Sequence, residues 1–270
     1  MKDDIIKYKI KESYGKIALV GSSSEACCAS GECCGSGSNS GSSHGSQTMM
    51  SPMLIAENIG CNTNDLNSIP ESSILGIGCG APVNFADMQE GEVVVDIGSG
   101  GGIDVFLSAN KVKQAGKVIG IDMTNEMLEK ATYYAKQNGY INVEFKKGDI
   151  EKGIPINDNN ADVVISNCVI NLTIDKIAAF KEIYRVLKPA GGRMVISDLV
   201  TSKEVNSDSA DSDKWCSCID GALTKEHYLD SIREAGFSDP EVLEEKLYMD
   251  GGDSIEGRRI TSLVIKAVKT

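Results

Sequence analysis

Histidine is scarce: the 270 residues contain two, His44 in a Ser/Gly-rich stretch and His227 near the end, so mixed Cys/His zinc sites of the finger type lack their imidazoles. Basic residues are also in deficit. Lys and Arg total 27 against 39 Asp and Glu, a formal net charge of -12, which leaves no cationic face to release counterions from a phosphate backbone and argues against nucleic acid as a partner. No apolar run approaches the roughly 18 residues that suggest a membrane span. The opening Met1-Lys2-Asp3-Asp4 is charged and does not lead into the apolar core of a secretory signal, so a cytoplasmic protein without a membrane partner is expected. The nine cysteines are odd in number, in a chain too large to need covalent staples; no disulfide framework is expected and they are read as thiols. With imidazole scarce, sulfur would hold any bound metal or metalloid, and thiolates prefer soft centres such as Cu(I), zinc or trivalent arsenic.

With 41% hydrophobic and 24% charged residues, the composition is that of a globular protein of one or two domains. Three units are expected: residues 1–50, an N-terminal helix and a flexible arm; 51–200, the main ligand-binding domain; and 201–270, a further binding segment that also completes the sheet. In the first, Ile5, Ile6, Ile10, Tyr14, Ile17 and Ala18 fall near a 3.6-residue period and predict a short helix. Residues 21–48 are mostly Ser and Gly, too poor in apolar surface to offset the entropy of ordering, and read as a flexible arm carrying Cys27, Cys28, Cys33 and Cys34.

From about residue 90, strand-like and helix-like segments alternate, which predicts a doubly wound, mostly parallel α/β sheet with crossover helices. Glu92 to Ile97, Lys117 to Ile121, Val143 to Lys146, Ala161 to Ser166 and Arg193 to Asp198 are the strands; the first is a continuous branched run, as expected of a strand buried on both faces. Thr124 to Asn138 and Thr173 to Leu187 are the clearest helices, with Thr173 as candidate N-cap and Pro189, Gly191 and Gly192 as the stop.

Directly after the first strand comes Asp96-Ile97-Gly98-Ser99-Gly100-Gly101-Gly102, opening a helix at Ile103. Glycines there let the backbone turn sharply and approach a ligand, and a helix start offers unpaired amides. Asp122, 20 residues beyond Gly102, ends the next strand, where a carboxylate can accept from ribose hydroxyls. A glycine loop alone also fits a tight turn; the order strand, loop, helix, strand, acid points to a nucleoside. The D-x-G-x-G-x-G spelling differs from the G-x-G-x-x-G that cradles a pyrophosphate. S-adenosylmethionine has no phosphate, and its amino-acid half carries an ammonium that an acidic loop can neutralise.

The loop resembles motif I of the class I methyltransferases. That resemblance implies that Asp96, Gly98, Ser99 and Gly100 line the methionine half of S-adenosylmethionine, that Asp122 and Met123 meet the ribose region, and that Asp149 and Ile150 meet the adenine, with Asp149 accepting from its amino group. Cys168, two residues past the fourth strand, falls on the same sheet edge as the loop, although a buried small hydrophobe is the common fate of a free cysteine. Cys79 is flanked by Gly78 and Gly80, which would leave its thiol unshielded, in a turn or in a site. Cys216 and Cys218 would face one side of an extended backbone, as in half of a zinc site.

Together these segments resemble the arsenite S-adenosylmethionine methyltransferases, from about Tyr14 to the end of the sheet. The resemblance rests on Ile77-Gly78-Cys79-Gly80-Ala81-Pro82, on Ser166-Asn167-Cys168-Val169-Ile170-Asn171-Leu172 and on Cys218-Ile219-Asp220-Gly221-Ala222-Leu223. It implies a seven-stranded Rossmann-like sheet with a small inserted metalloid-binding region, and methylation of arsenite or methylarsenite held by Cys79, Cys168 and Cys218, in arsenic detoxification. Thioredoxin or glutathione would reset the thiols by exchange. Cys216 is then an extra thiol, and Cys27, Cys28, Cys33, Cys34 and Cys61 compete for an upstream place in a disulfide relay. The C-terminal extension of longer members is expected to be absent. The chemistry suits the residue types: the lone pair of trivalent arsenic needs no general base, and the protein's task is to hold it about 3–3.5 Å from the methyl carbon. Two rivals stay open, a methyltransferase for another small acceptor and a non-enzymatic metalloid-binding protein.

Overall fold

The computed structural model describes residues 2–20, 50–205, 215–251 and 255–270. The arm with Cys27, Cys28, Cys33 and Cys34 lies outside the described residues. Seven strands form one sheet: β1 (Val93–Ile97), β2 (Lys117–Asp122), β3 (Val143–Lys147), β4 (Val163–Asn167), β5 (Arg193–Thr201), β6 (Glu241–Asp250) and β7 (Arg259–Val268). Their order is β3-β2-β1-β4-β5-β7-β6, with β1 to β5 parallel and β7 antiparallel to both neighbours, as the doubly wound reading expects.

Continuous branched runs make sense in such a sheet because both faces are covered. Val95 and Ile97 of β1 pack on one side with Phe180 and Ile183 of α6 (Lys176–Val186) and Tyr228 and Ile232 of α7 (Lys225–Glu234). Val94 points the other way, toward Phe106 and Val112 of α4 (Ile103–Val112). The short α2 (Pro52–Asn58) and α3 (Thr63–Leu66) complete that second layer through Ala56 and Leu66.

The chain order reverses between β1 and β4, so the loops leaving their carboxyl ends part and open a crevice there. Across this crevice runs α1 (Lys2–Val20), longer than the short helix expected, with Ile6, Ile10, Ile17 and Ala18 buried and Ile5 turned to solvent. It lies against α5 (Asn125–Gln137), with Gly15 facing the Glu126 side chain.

The start of α6 differs from the Thr173 N-cap expected. Asp175 caps the helix by accepting from the Ala178 amide at 2.9 Å, while the Thr173 hydroxyl donates back to the Ile170 carbonyl at 2.6 Å. The preceding Ile170–Leu172 segment is a 3₁₀ turn whose end the Thr173 hydroxyl closes, so α6 begins three residues later than the helix period suggests. β5 also runs to Thr201, past Asp198, because β7 pairs with it along its whole length.

Candidate active site

The β1 loop turns through three glycines with positive φ, Gly98 at 72°, Gly100 at 50° and Gly102 at 95°. At Gly98 a side chain is barred twice, by the left-handed backbone and by Val169 of the β4 loop, which occupies the place a Cβ would take. Asp122 ties the loop to β2, accepting from the Gly100 amide at 2.9 Å through one oxygen and from Thr124 at 2.8 Å through the other. Burial raises its pKa, and those amides pull the other way.

Asp96, next to last in β1, is only 2% exposed, and among the described residues no cation lies against it. Burial, then the neighbouring Asp104 and Asp122, hold its carboxyl well above the usual range. Burial lifts Asp104 to about 6, against the opposing effect of the Asn167 amide that donates to it at 3.1 Å. The Ser99 hydroxyl is buried with no hydrogen-bond partner among the described residues. A buried acid without a cation and a hydroxyl without a partner are demands that the protein itself leaves unmet, at the wall of a cleft of about 1230 Å³, part of it open to solvent. Asp96, Gly98, Ser99, Gly100, Asp122, Met123, Asp149 and Ile150 all line this cleft. Cys168 lines it too.

The thiol segments meet at its rim. β4 and β5 are paired so that Asn167 faces Ser197, and the Cys168 amide donates to the Ser197 carbonyl at 2.9 Å. Cys79 is brought in from its own loop: its amide donates to Asn167 Oδ1 at 3.1 Å, and its carbonyl accepts from Ser262 of β7 at 2.7 Å. Cys79 and Cys168, 89 residues apart in sequence, are joined as a disulfide with Cα atoms 5.9 Å apart. This corrects the expectation of thiols throughout. Among the described residues the bridge is the single one, between two loops that the sheet register sets side by side. Cys79 is likewise buried and not unshielded, because Gly78 and Gly80 pack against Asn167 and Ser197.

Cys218 enters from the other side, its Sγ 3.1 Å from the Cys168 carbonyl. The backbone there is a turn in which the Cys218 amide donates to the Trp215 carbonyl, with φ 65° at Cys218, so the extended arrangement expected for Cys216 and Cys218 does not occur. The Trp215 indole anchors this turn by donating to the Leu172 carbonyl at 3.2 Å. Cys61 lines the cleft as well, and burial pushes its thiol up to about 12, with Asp104 and Asp65 adding to the shift, so it stays protonated at neutral pH.

Sequence reading missed Asp198. It is 1% exposed, and a carboxylate oxygen and the sulfurs of Cys79 and Cys168 lie within 4.8 Å of one another. It accepts from the Asn171 amide at 3.0 Å, the Leu199 amide at 3.0 Å and the Tyr228 hydroxyl at 3.2 Å. Burial raises its pKa to about 6, with these donors and Lys176 opposing. Its signal was an acid closing a strand, as at Asp96 and Asp122. Lys7 was missed too: from α1 it reaches Asp149 and Glu151 at the far wall of the cleft.

Residues 88–236 match the family model described as the methyltransferase domain, more than half of the chain. The chain belongs to the methyltransferase domain family. An arsenite methyltransferase of Halobacterium salinarum is 39% identical over 86% of this chain and 57% of its own length. One from Aquipseudomonas alcaligenes is 37% identical over 66% of this chain and 52% of its own length. The chain thus spans about half the length of the curated relatives it matches. Among solved structures, an arsenic(III) S-adenosylmethionine methyltransferase from Chlamydomonas reinhardtii superposes with a TM-score of 0.62 at 29% identity, covering 83% of this chain and 75% of that one. In this methyltransferase domain the glycine loop and the three cysteine segments share one sheet edge.

Proposed function

We propose that this chain methylates trivalent arsenic with S-adenosylmethionine, in the cytoplasm and in the service of arsenic detoxification. The observation that carries the reading is the pairing of Cys79 with Cys168 at the rim of the glycine-loop cleft, with Cys218 against the Cys168 carbonyl. An acceptor site built from soft sulfur suits a thiophilic centre and does not suit an ordinary oxygen or nitrogen nucleophile. The named activity of the relatives agrees with it.

In this reading Asp96 meets the cofactor's ammonium, Ser99 and the loop amides its carboxylate end, Asp122 its ribose and Asp149 its adenine amino group. When bound, S-adenosylmethionine supplies an electrophilic sulfonium methyl that the lone pair of trivalent arsenic can take without a general base. The protein's own work is capture and orientation. The Cys79–Cys168 bridge accepts two electrons and two protons from thioredoxin or from two glutathione molecules, releasing two thiols. Arsenite then exchanges its three hydroxyls for the sulfurs of Cys79, Cys168 and Cys218, and each exchange releases one water. Methylarsenite brings two exchangeable positions and needs only two of the three. Re-forming the bridge after methyl transfer breaks the two As–S bonds to Cys79 and Cys168 and returns their electron pair to arsenic, from the pentavalent to the trivalent state; one water supplies a hydroxyl to the methylarsenic left on Cys218 and releases a proton.

Equilibrium dialysis of arsenite against the full chain tests the capture step. With Cys27, Cys28, Cys33 and Cys34 replaced by serine, so that the arm takes up no arsenite, protein reduced and freed of reductant should bind about one arsenic per chain in thiol exchange, and the same protein with the bridge intact should bind far less. Equal binding by both forms would remove the three cysteines as the acceptor site.

A further inference from the structure

Lys7 stands apart from the machinery so far described. Its ammonium donates to both oxygens of Asp149, at 3.1 and 2.8 Å, and pairs with Glu151 at 2.8 Å, across 142 residues of sequence. All three side chains are largely shielded, at 16%, 15% and 12% exposure. Burial pulls the Lys7 pKa down, but the two carboxylates outweigh it and the net shift is upward, so it is a cation at any pH the protein meets. Glu151 in turn accepts from the amides of Ile174 and Asp175, at 3.0 and 2.8 Å, where the Cys168 loop passes into α6. Asp149 also accepts from the Glu151 amide at 3.2 Å. Two turns further along α1, the Tyr14 hydroxyl donates to the Cys216 carbonyl at 3.2 Å, and Lys7, Ile10 and Tyr14 all line the cleft.

We infer that Lys7 is a positioning residue for cofactor recognition: it fixes the Asp149 carboxylate, through α1, in the orientation that selects an adenine amino group. The proposal rests on the placement of adenine at Asp149. An exposed lysine pair would be weak and mobile, but a shielded, two-carboxylate arrangement holds its partners in one geometry. A carboxylate so held discriminates a donor from an acceptor at the base edge, because turning away from a repulsive group would break the Lys7 pairing. Without Lys7, Asp149 and Glu151 repel each other and Asp149 can swing aside.

The test is a ligand and mutant cycle on the full chain, by titration calorimetry with S-adenosylhomocysteine and S-inosylhomocysteine, which differ in an amino group against a carbonyl at position 6 of the purine. Wild type should prefer the amino ligand by about a hundredfold, as expected for a buried polar site that rejects the wrong partner. Lys7→Met should weaken S-adenosylhomocysteine binding by about tenfold and cut the preference to about tenfold, and Lys7→Arg should recover most of both. Circular dichroism and the melting temperature of each variant report on folding; a purely structural role would lower both affinities together and leave their ratio unchanged. A discriminating wild type with an unaltered ratio in Lys7→Met overturns the Lys7 role alone. A wild type that binds both ligands equally overturns the adenine placement and the Lys7 role with it.

Discussion

Asp96→Asn should bind S-adenosylmethionine on the order of 30- to 5000-fold more weakly and yet melt at a higher temperature than the wild type. The loss follows from the ammonium of the cofactor, which would be left in a closed site facing a neutral amide; truncating one partner of a buried charge pair costs about 2–5 kcal/mol. The gain follows from the protein's own electrostatics. Asp96 is buried beside Asp104 and Asp122, with its carboxyl held well above the ordinary range, so the ionised form is a burden on the folded protein that asparagine removes at nearly constant shape. The sign with pH is fixed by the direction of that shift. A carboxyl raised in the folded state contributes most below the unfolded carboxylate range and loses that contribution as pH rises through its folded value. The melting advantage of Asp96→Asn is therefore smallest in acid and grows toward neutral pH, to about 2–4 °C for each kcal/mol in a chain of this size. Calorimetric melting from acid to neutral pH, with cofactor titration at neutral pH, checks both halves; a variant that is less stable and binds normally would place the cofactor's ammonium elsewhere.

Cys168→Ser should lose at least about 1000-fold in kcat/KM on arsenite and on methylarsenite alike, about 4 kcal/mol of transition-state stabilisation. Serine keeps the size but replaces a soft ligand by a hard one. Cys168 is also central by geometry, bridged to Cys79 and offering its carbonyl to Cys218 Sγ at 3.1 Å, so no other cysteine among the described residues substitutes for it. Cys79→Ser differs in kind. It should fail on arsenite but still methylate methylarsenite, which Cys168 and Cys218 can hold; its product should leave pentavalent because no bridge can form to return electrons to arsenic, and for the same reason its methylarsenite turnover should start without prior reduction. Steady-state rates with each substrate, with and without preincubation in reductant, separate the two variants. Normal arsenite turnover by Cys168→Ser contradicts the sulfur site.

The parallel centre of the sheet and its glycine loop were legible because β1, β2, β4 and β5 are buried and appear as largely apolar runs closed by glycines or an acid, whereas β6 and β7 were not picked out as segments, β6 being charged and largely exposed. Pairings between distant segments were not legible. Cys79 and Cys168 each stood out by their neighbours, but their junction depends on the register of β4 against β5 and on Asn167 holding the Cys79 loop, which no local pattern encodes. Asp198 was read only as the last residue of a strand, since its proximity to sulfur comes from the same register. Lys7 sat in a helix whose apolar period was visible, while the carboxylates it meets lie beyond β3. At Thr173 the error was local: a hydroxyl that donates backward to Ile170 looks the same in sequence as one that caps forward.

The central claim is tested most directly by incubating the purified full chain with arsenite, S-adenosylmethionine labelled in its methyl group and a thioredoxin or glutathione system, and separating arsenicals from other products. The account predicts label in methylated arsenic, with loss of the signal when arsenite or reductant is omitted and when Cys168 is serine. Label that never reaches arsenic while arsenite stays bound to the protein, or label transferred to an organic acceptor with full rates in Cys168→Ser, would contradict it.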